Sequence, residues 1–238
     1  MHFHLPKPMH GWRAFFGEVG IIVVGVLIAL GAEQVVSSVH ERGEAAQARE
    51  NVRAEAAFNL ATISSRVATQ SCIEHRIDEL ASILAAATDG RIKQRPTWIG
   101  HPPTSPFFMR RWEAATASGR NSMFDTGEQE QFGQLYDIFG RFNEYQAREQ
   151  QVWADLRVLE TWEGPLDSSA RLSLAKELQQ AKYLAWDLNF AGRSALANLQ
   201  LTGIAIPREK LGTPSICLPI QTSRPDAIRR INGPYGQP

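Results

Sequence analysis

Between Val19 and Ala32 the chain carries no charged residue: Val-Gly-Ile-Ile-Val-Val-Gly-Val-Leu-Ile-Ala-Leu-Gly-Ala. Extended to Phe15 and Val36, the run makes a helix of about 33 Å at 1.5 Å per residue, enough to cross the hydrocarbon core with modest tilt. Lipid supplies no hydrogen bonds, so a lone spanning segment must satisfy its backbone internally, as a helix. Trp12, Phe15 and Phe16 stand where one aromatic interface belongs. The chain therefore divides into a cytoplasmic N-terminal segment (1–14), a transmembrane helix (15–36), an extracytoplasmic helical bundle (37–202) and a Pro/Gly-rich tail (203–238).

Orientation follows from the flanks. Lys7 and Arg13 precede the span without an acid, whereas Glu33, Glu41, Arg42, Glu44, Arg49 and Glu50 follow it. Arg13 lies nearer its end of the span than Arg42 does, which places the N-terminus in the cytoplasm and the bulk of the chain across the membrane. A cleaved signal peptide is the rival, with Ala29 and Gly31 as a small-x-small site. Glu18 at the border of the apolar core, and Val35, Val36 and Val39 beyond it, favour the uncleaved signal-anchor. Either way the remainder is exported.

Glu18, Ile22, Gly25, Ala29 and Ala32 recur at four, three, four and three and share one stripe. Gly25-x-x-x-Ala29 is a small-x-x-x-small pair that lets a second helix approach closely, so the stripe is a candidate helix-association face. The competing reading is that glycine is common in membrane helices and that Glu18 sits at headgroup depth near a helix N-terminus.

The segment Leu5-Pro-Lys-Pro-Met-His-Gly-Trp-Arg13, followed by Gly17-Glu18-Val19 and by Gly25-Val-Leu-Ile-Ala-Leu-Gly-Ala-Glu-Gln34, resembles the N-terminus of a family of uncharacterised bacterial single-span membrane proteins, a domain of unknown function. The resemblance implies a bacterial inner-membrane protein with one span and a helical extracytoplasmic part. It implies no activity and no functional residues.

The 238 residues, less the anchor, leave room for one ordinary domain. A net charge of zero argues against nucleic acid, which calls for a basic face. With 43% apolar and 9% aromatic residues the chain can fill a core. Two cysteines, Cys72 and Cys217, permit one disulfide beyond the inner membrane. Two independent buried thiols are the alternative, and spacing alone leaves both open.

The exported part reads as all-α. Gly43 is the only glycine between Glu33 and Ala87, where no proline occurs. Val52, Ala56, Leu60, Ile63 and Val67 recur at helical spacing, as do Ile73, Ile77, Leu80 and Leu84. This predicts one long helix leaving the membrane, bent if anywhere near Gly43, with His75 and Asp78 as a surface pair. Asp89-Gly90 stops it. Residues 91–106 hold four prolines and form a long loop, with Ser105-Pro106 as cap and first turn of a short helix from Phe107 to Ser118. Asn121–Phe124 is a turn, and Thr126-Gly-Glu-Gln129 resembles a capping box for a helix over 127–161. That helix's polar middle, Asn143 to Gln151, is expected to face solvent. Gly164-Pro165 breaks it, and Asp167-Ser168 cap a helix over 168–201 packed antiparallel on its predecessor, its spacing interrupted at Gly192. The tail is irregular, apart from a short segment near 208–211 or 225–231. The architecture is an antiparallel bundle of three long helices and one short one, on a membrane stalk.

No phosphate loop, His-Glu-x-x-His, Cys-x-x-Cys or Gly-x-Ser-x-Gly occurs, and no Glu has a His three residues on. His2, His4 and His10 lack ligand spacing. The sequence assigns no catalytic residue, cofactor or metal. Trp98, Phe108 and Trp112 are the candidate pocket residues, although aromatics at helical spacing are more often core. Arg110 and Arg111 read as a solvated basic turn. The expectation is a non-enzymatic module that binds a membrane-protein partner or assembles with itself. A ligand-sensing bundle, and then an enzyme built on the loop around Trp98, are the alternatives.

Overall fold

The computed structural model describes residues 11–87, 90–206 and 213–232, and every regular element among them is helical. Asp89, the N-terminal histidines, Lys7 and the 208–211 segment lie outside the described residues.

Helix α1 runs from Trp12 to Ala68, 57 residues, or about 85 Å. Its first part is an unpacked apolar rod, with Ile21 76% and Val36 69% exposed. By length and composition it can cross a membrane. Its second part is a wall of the bundle, with Val52, Ala56, Leu60 and Ile63 buried. Gly43 does not interrupt it. The interruption falls at Thr69, whose hydroxyl bonds back to the Ser65 carbonyl, and α2 continues over Gln70–Ala86. Such back-bonding competes with the helical ladder and bends helices.

Gly90, with φ +72°, turns the chain into the long loop. The expected cap at Ser105-Pro106 is not used: α3 spans only Arg110–Ala117, behind Met109, because the backbone of 105–108 is bonded elsewhere. A 3-10 turn over Arg120–Met123 leads to α4, Thr126–Leu156, where Asp125 rather than Thr126 is the N-cap and accepts from Gly127 N. A 3-10 turn at Arg157–Glu160 ends α4. Helix α5 spans Ser168–Thr202, with Asp167 accepting from Ala170 N. In the tail, a 3-10 turn at Ser215–Cys217 precedes α6, Arg224–Asn232.

Helices α1 and α4 run the same way: Glu128 meets Arg53 at one level and Glu149 meets Arg66 further along. The long loop and α3 carry the chain back to make this parallel pairing. Helix α5 runs antiparallel to both, reaching Arg53 at Gly203. The core has two parts. A part nearer the apolar rod joins α1, α4 and the end of α5 through Phe107, Phe132, Tyr136, Phe139 and Phe142. A distal part joins α2, the end of α4 and the start of α5 through Ile73, Leu80, Trp153, Leu156 and Leu178. Gly192 sits where α5 presses on α1: a Cβ there would meet Val67 Cγ2 at 2.7 Å. The gap in the α5 apolar spacing is thus a close approach of two helices.

Candidate functional site

A cavity of about 710 Å³ opens between α1, the 103–107 loop and α4. Phe58, Phe107, Phe142 and Ile206 make one side apolar, and Ser65, Arg66, Ser105 and Gln146 make the other polar.

Its loop wall is held by side-chain amides. Asn59 donates to Phe108 O at 2.7 Å and accepts from Phe108 N at 3.0 Å. Asn143 does the same with Phe107, and Gln146 with Ser105. Each carboxamide stands in for a strand neighbour, satisfying a peptide N–H and C=O together. This is why α3 starts late, and why the polar middle of α4 faces solvent only in part: Gln146 and Glu149 are buried, whereas Glu144, Arg148, Gln150 and Gln151 are exposed as expected.

Beside this wall Arg66 Nη2 meets Glu149 Oε1 at 2.8 Å, with both side chains almost wholly enclosed. Arg66 also donates to Gln70 Oε1. Arg66 Nε and Glu149 Oε2 have no hydrogen-bond partner. Burial raises the Glu149 carboxyl above the ordinary range, against the pull of Arg66.

Further from the apolar rod, Arg76 is 2% exposed and donates to the carbonyls of Trp98, Ile99, Ile216 and Leu218, and to Glu79. One guanidinium thus bolts both irregular segments to α2. Burial lowers its basicity, but an arginine keeps its charge. One turn away, Cys72 is joined to Cys217, with Cα atoms 5.0 Å apart. Trp98 Nε1 donates to Ser215 O, and the Gly100 Cα hydrogens face Ser215 O, which a Cβ would approach to 2.7 Å.

Trp98, Phe108 and Trp112 do not converge. Trp98 packs with Leu218 and Ala227, Phe108 lies half-exposed on Phe58, and Trp112 stacks on Tyr136 at 5.4 Å. His75 pairs with Glu79, at 3.5 Å, rather than with Asp78. Arg110 and Arg111 stay exposed, while the backbone N–H of Arg111 donates to Glu55. Among the described residues no three His, Cys, Asp or Glu side chains converge as metal ligands.

On the apolar part of α1, Glu18, Ala29 and Ala32 are exposed, and a Cβ on Gly25 would meet nothing. Gly25 and Ala29 lie roughly seven and a half turns before Val52 and Ala56, so their stripe faces away from the bundle.

The residues missed by sequence reasoning are Asn59, Arg66, Arg76, Asn143, Gln146 and Glu149. Their partners are backbone groups or residues far along the chain; only their interruption of polar faces with helical spacing signalled them. No family model, no curated protein and no solved structure matches this chain, so the N-terminal likeness rests on the quoted residues alone.

Proposed function

We propose that this chain is a single-span protein of the bacterial inner membrane, with a cytoplasmic N-terminus and a periplasmic helical bundle. It acts by binding a protein partner or by assembling, rather than by catalysis. The observation that carries the reading is the continuity of α1: one helix is both the unpacked apolar rod and a wall of the bundle. Such a rod fixes the height and orientation of the bundle over the membrane. The Cys72–Cys217 bond suits an oxidising compartment and supports the outward placement of the bundle. Exposed aromatic surface on α5 supports a binding role. The test is in-cell crosslinking of the full chain followed by mass spectrometry. Crosslinks from bundle residues to a periplasmic or membrane protein, or to a second copy, are expected; a bundle that crosslinks to no protein contradicts the reading.

The cavity, with its apolar and polar sides, favours a second reading in which the bundle senses a small amphipathic molecule for a partner. Native mass spectrometry of membrane-extracted protein tests it. A bound molecule that Ala61→Trp displaces is the expected result, and an empty wild-type protein contradicts it.

A further inference from the structure

One side of α1 walls the cavity: Phe58, Ala61, Thr62, Ser65 and Ala68 lie at helical spacing along it. Three of these five are Ala or Ser, so the helix leaves space in front of Phe107 and Phe142. The facing wall cannot close that space, because its backbone is tied at Ser105 by Gln146, at Phe107 by Asn143 and at Phe108 by Asn59. The cavity is therefore built into the fold. Its volume of about 710 Å³ lies within the range of sites that enclose a drug-sized molecule.

The lining decides what fits. Among the described residues Arg66 is the one ionisable side chain in it, and Glu149 already meets that charge at 2.8 Å. An anionic ligand would stand beside a second desolvated carboxylate, and a cationic one beside the guanidinium. The other polar groups are neutral. No described residue bonds the hydroxyls of Ser64, Ser65 or Ser105, and each can donate one hydrogen bond and accept others. Across from them lie Phe107, Phe142 and Ile206, and at the mouth Phe58 rests on Phe108, both about half-exposed.

We propose that this cavity binds an uncharged amphiphile of one chain or ring system. Its apolar body lies on Phe107, Phe142 and Ile206, and its hydroxyl, ester or amide head bonds Ser64, Ser65 and Ser105. The inference rests on the sensing reading above and names its ligand. Height supports the single chain. The Phe58–Ala68 wall stands about 33 to 48 Å beyond Val36 along α1, whereas headgroups reach only about 5–8 Å past the hydrocarbon. A lipid seated in the bilayer cannot reach the site, so the ligand arrives through water and is small enough to dissolve in it.

The experiment uses the full chain in phosphatidylcholine nanodiscs, with Ala61→Cys as a reporter in the cavity wall. Cys72 and Cys217 are bonded to each other, so maleimide alkylates position 61 alone. The probes are 1-octanoylglycerol, octanoate and octylammonium, which share a chain length and differ in the charge of the head. The expected result is protection of position 61 by 1-octanoylglycerol, with at least about tenfold more of either ion needed for the same protection. A Ser194→Cys chain, labelled on the exposed side of α5, is alkylated at an unchanged rate with all three. Adding Glu149→Gln to the reporter uncovers Arg66 and makes octanoate the better protector. Adding Arg66→Leu with Glu149→Leu removes both charges and restores the preference for 1-octanoylglycerol.

Equal protection by the three probes, or stronger protection by either ion, overturns the uncharged ligand and leaves the sensing reading standing. So does a Glu149→Gln chain that melts cooperatively and still prefers 1-octanoylglycerol. Protection by no probe also overturns the inference, and the sensing reading falls with it only if native mass spectrometry finds the membrane-extracted chain empty.

Discussion

The two ends of the bundle are built on different chemistry. Nearest the apolar rod, Phe132, Tyr136, Phe139 and Phe142 line one face of α4, with Phe124 edge-on to Phe132, and the short 105–108 segment packed there is held by the Asn59, Asn143 and Gln146 carboxamides. Away from it the core is mainly Ile and Leu around Trp153, built from α2, α4 and α5, with the long loop and the tail packed over it through Ile99 and Ile216. An irregular segment has no ladder of its own, so its carbonyls need outside partners. The distal end therefore carries the Arg76 clamp and the Cys72–Cys217 bond, which the proximal end does without. Between them lie the break at Thr69, the Arg66–Glu149 pair and the close approach at Gly192. Large aromatic faces can hold regular helices together, whereas loops and tails need directional bonds and covalent ties.

The largest expected effect tests the covalent tie. The bridged cysteines are 145 residues apart, and loop-closure entropy for such a separation corresponds to about 5 kcal/mol. Cys72→Ala with Cys217→Ala is expected to lower the stability of the distal end towards this value. Limited proteolysis should then cut residues 213–232 first, with the proximal end still protected. Equal loss of protection at both ends would break the comparison. Arg76→Leu should expose the same tail even with the disulfide intact, because four carbonyls lose their donor.

Next is the ion pair at the waist. Glu149→Leu leaves Arg66 enclosed without its counter-charge, at a cost of about 3–5 kcal/mol. Arg66→Leu with Glu149→Leu should recover most of that, because two apolar side chains suit the site better than one stranded charge. Denaturant unfolding of the single and double variants measures the coupling. Gly192→Leu should cost about 2–3 kcal/mol by forcing α5 off Val67 and Ile63, read as a lower unfolding midpoint. Asn59→Ala removes two bonds to the Phe108 backbone, at about 2 kcal/mol. Hydrogen exchange should then rise at 105–108 and not in the tail.

The smallest effect is on pH. Because burial raises Glu149, the folded chain holds its proton more tightly than the unfolded chain. Its contribution is complete below the unfolded carboxylate value and declines as pH rises through the raised one. Asp167 is lowered by the Ala170 N–H and Asp226 by the Ser223 hydroxyl, so theirs is present above the unfolded value and declines as pH falls through the lowered one. Thermal melts of Glu149→Gln from the carboxylate range to neutrality should lose the decline on the upper side and keep that on the lower.

The helices were legible because apolar spacing reports burial directly: Val52 to Ile63, Phe132 to Phe142 and Leu174 to Leu188 all face the core. The turns at Gly90 and Gly164 and the cap at Asp167 were legible from turn and cap chemistry. Gly43 misled because glycine weakens a helix without obliging it to bend, whereas the break at Thr69 interrupts neither the apolar spacing nor the run of helix formers. Glu149 and Gln146 misled because a polar side chain is assigned to water unless its partner is visible. Arg66 is 83 positions before Glu149, and a loop carbonyl has no sequence signature.

The central claim is that one continuous helix is embedded in the membrane and built into the bundle. Intact-mass measurement of the chain retained by carbonate-washed membranes tests it most directly. A retained chain that still carries residues 15–36 is the predicted result. A chain released into the wash, or one whose first residue lies beyond Ala29, would contradict it.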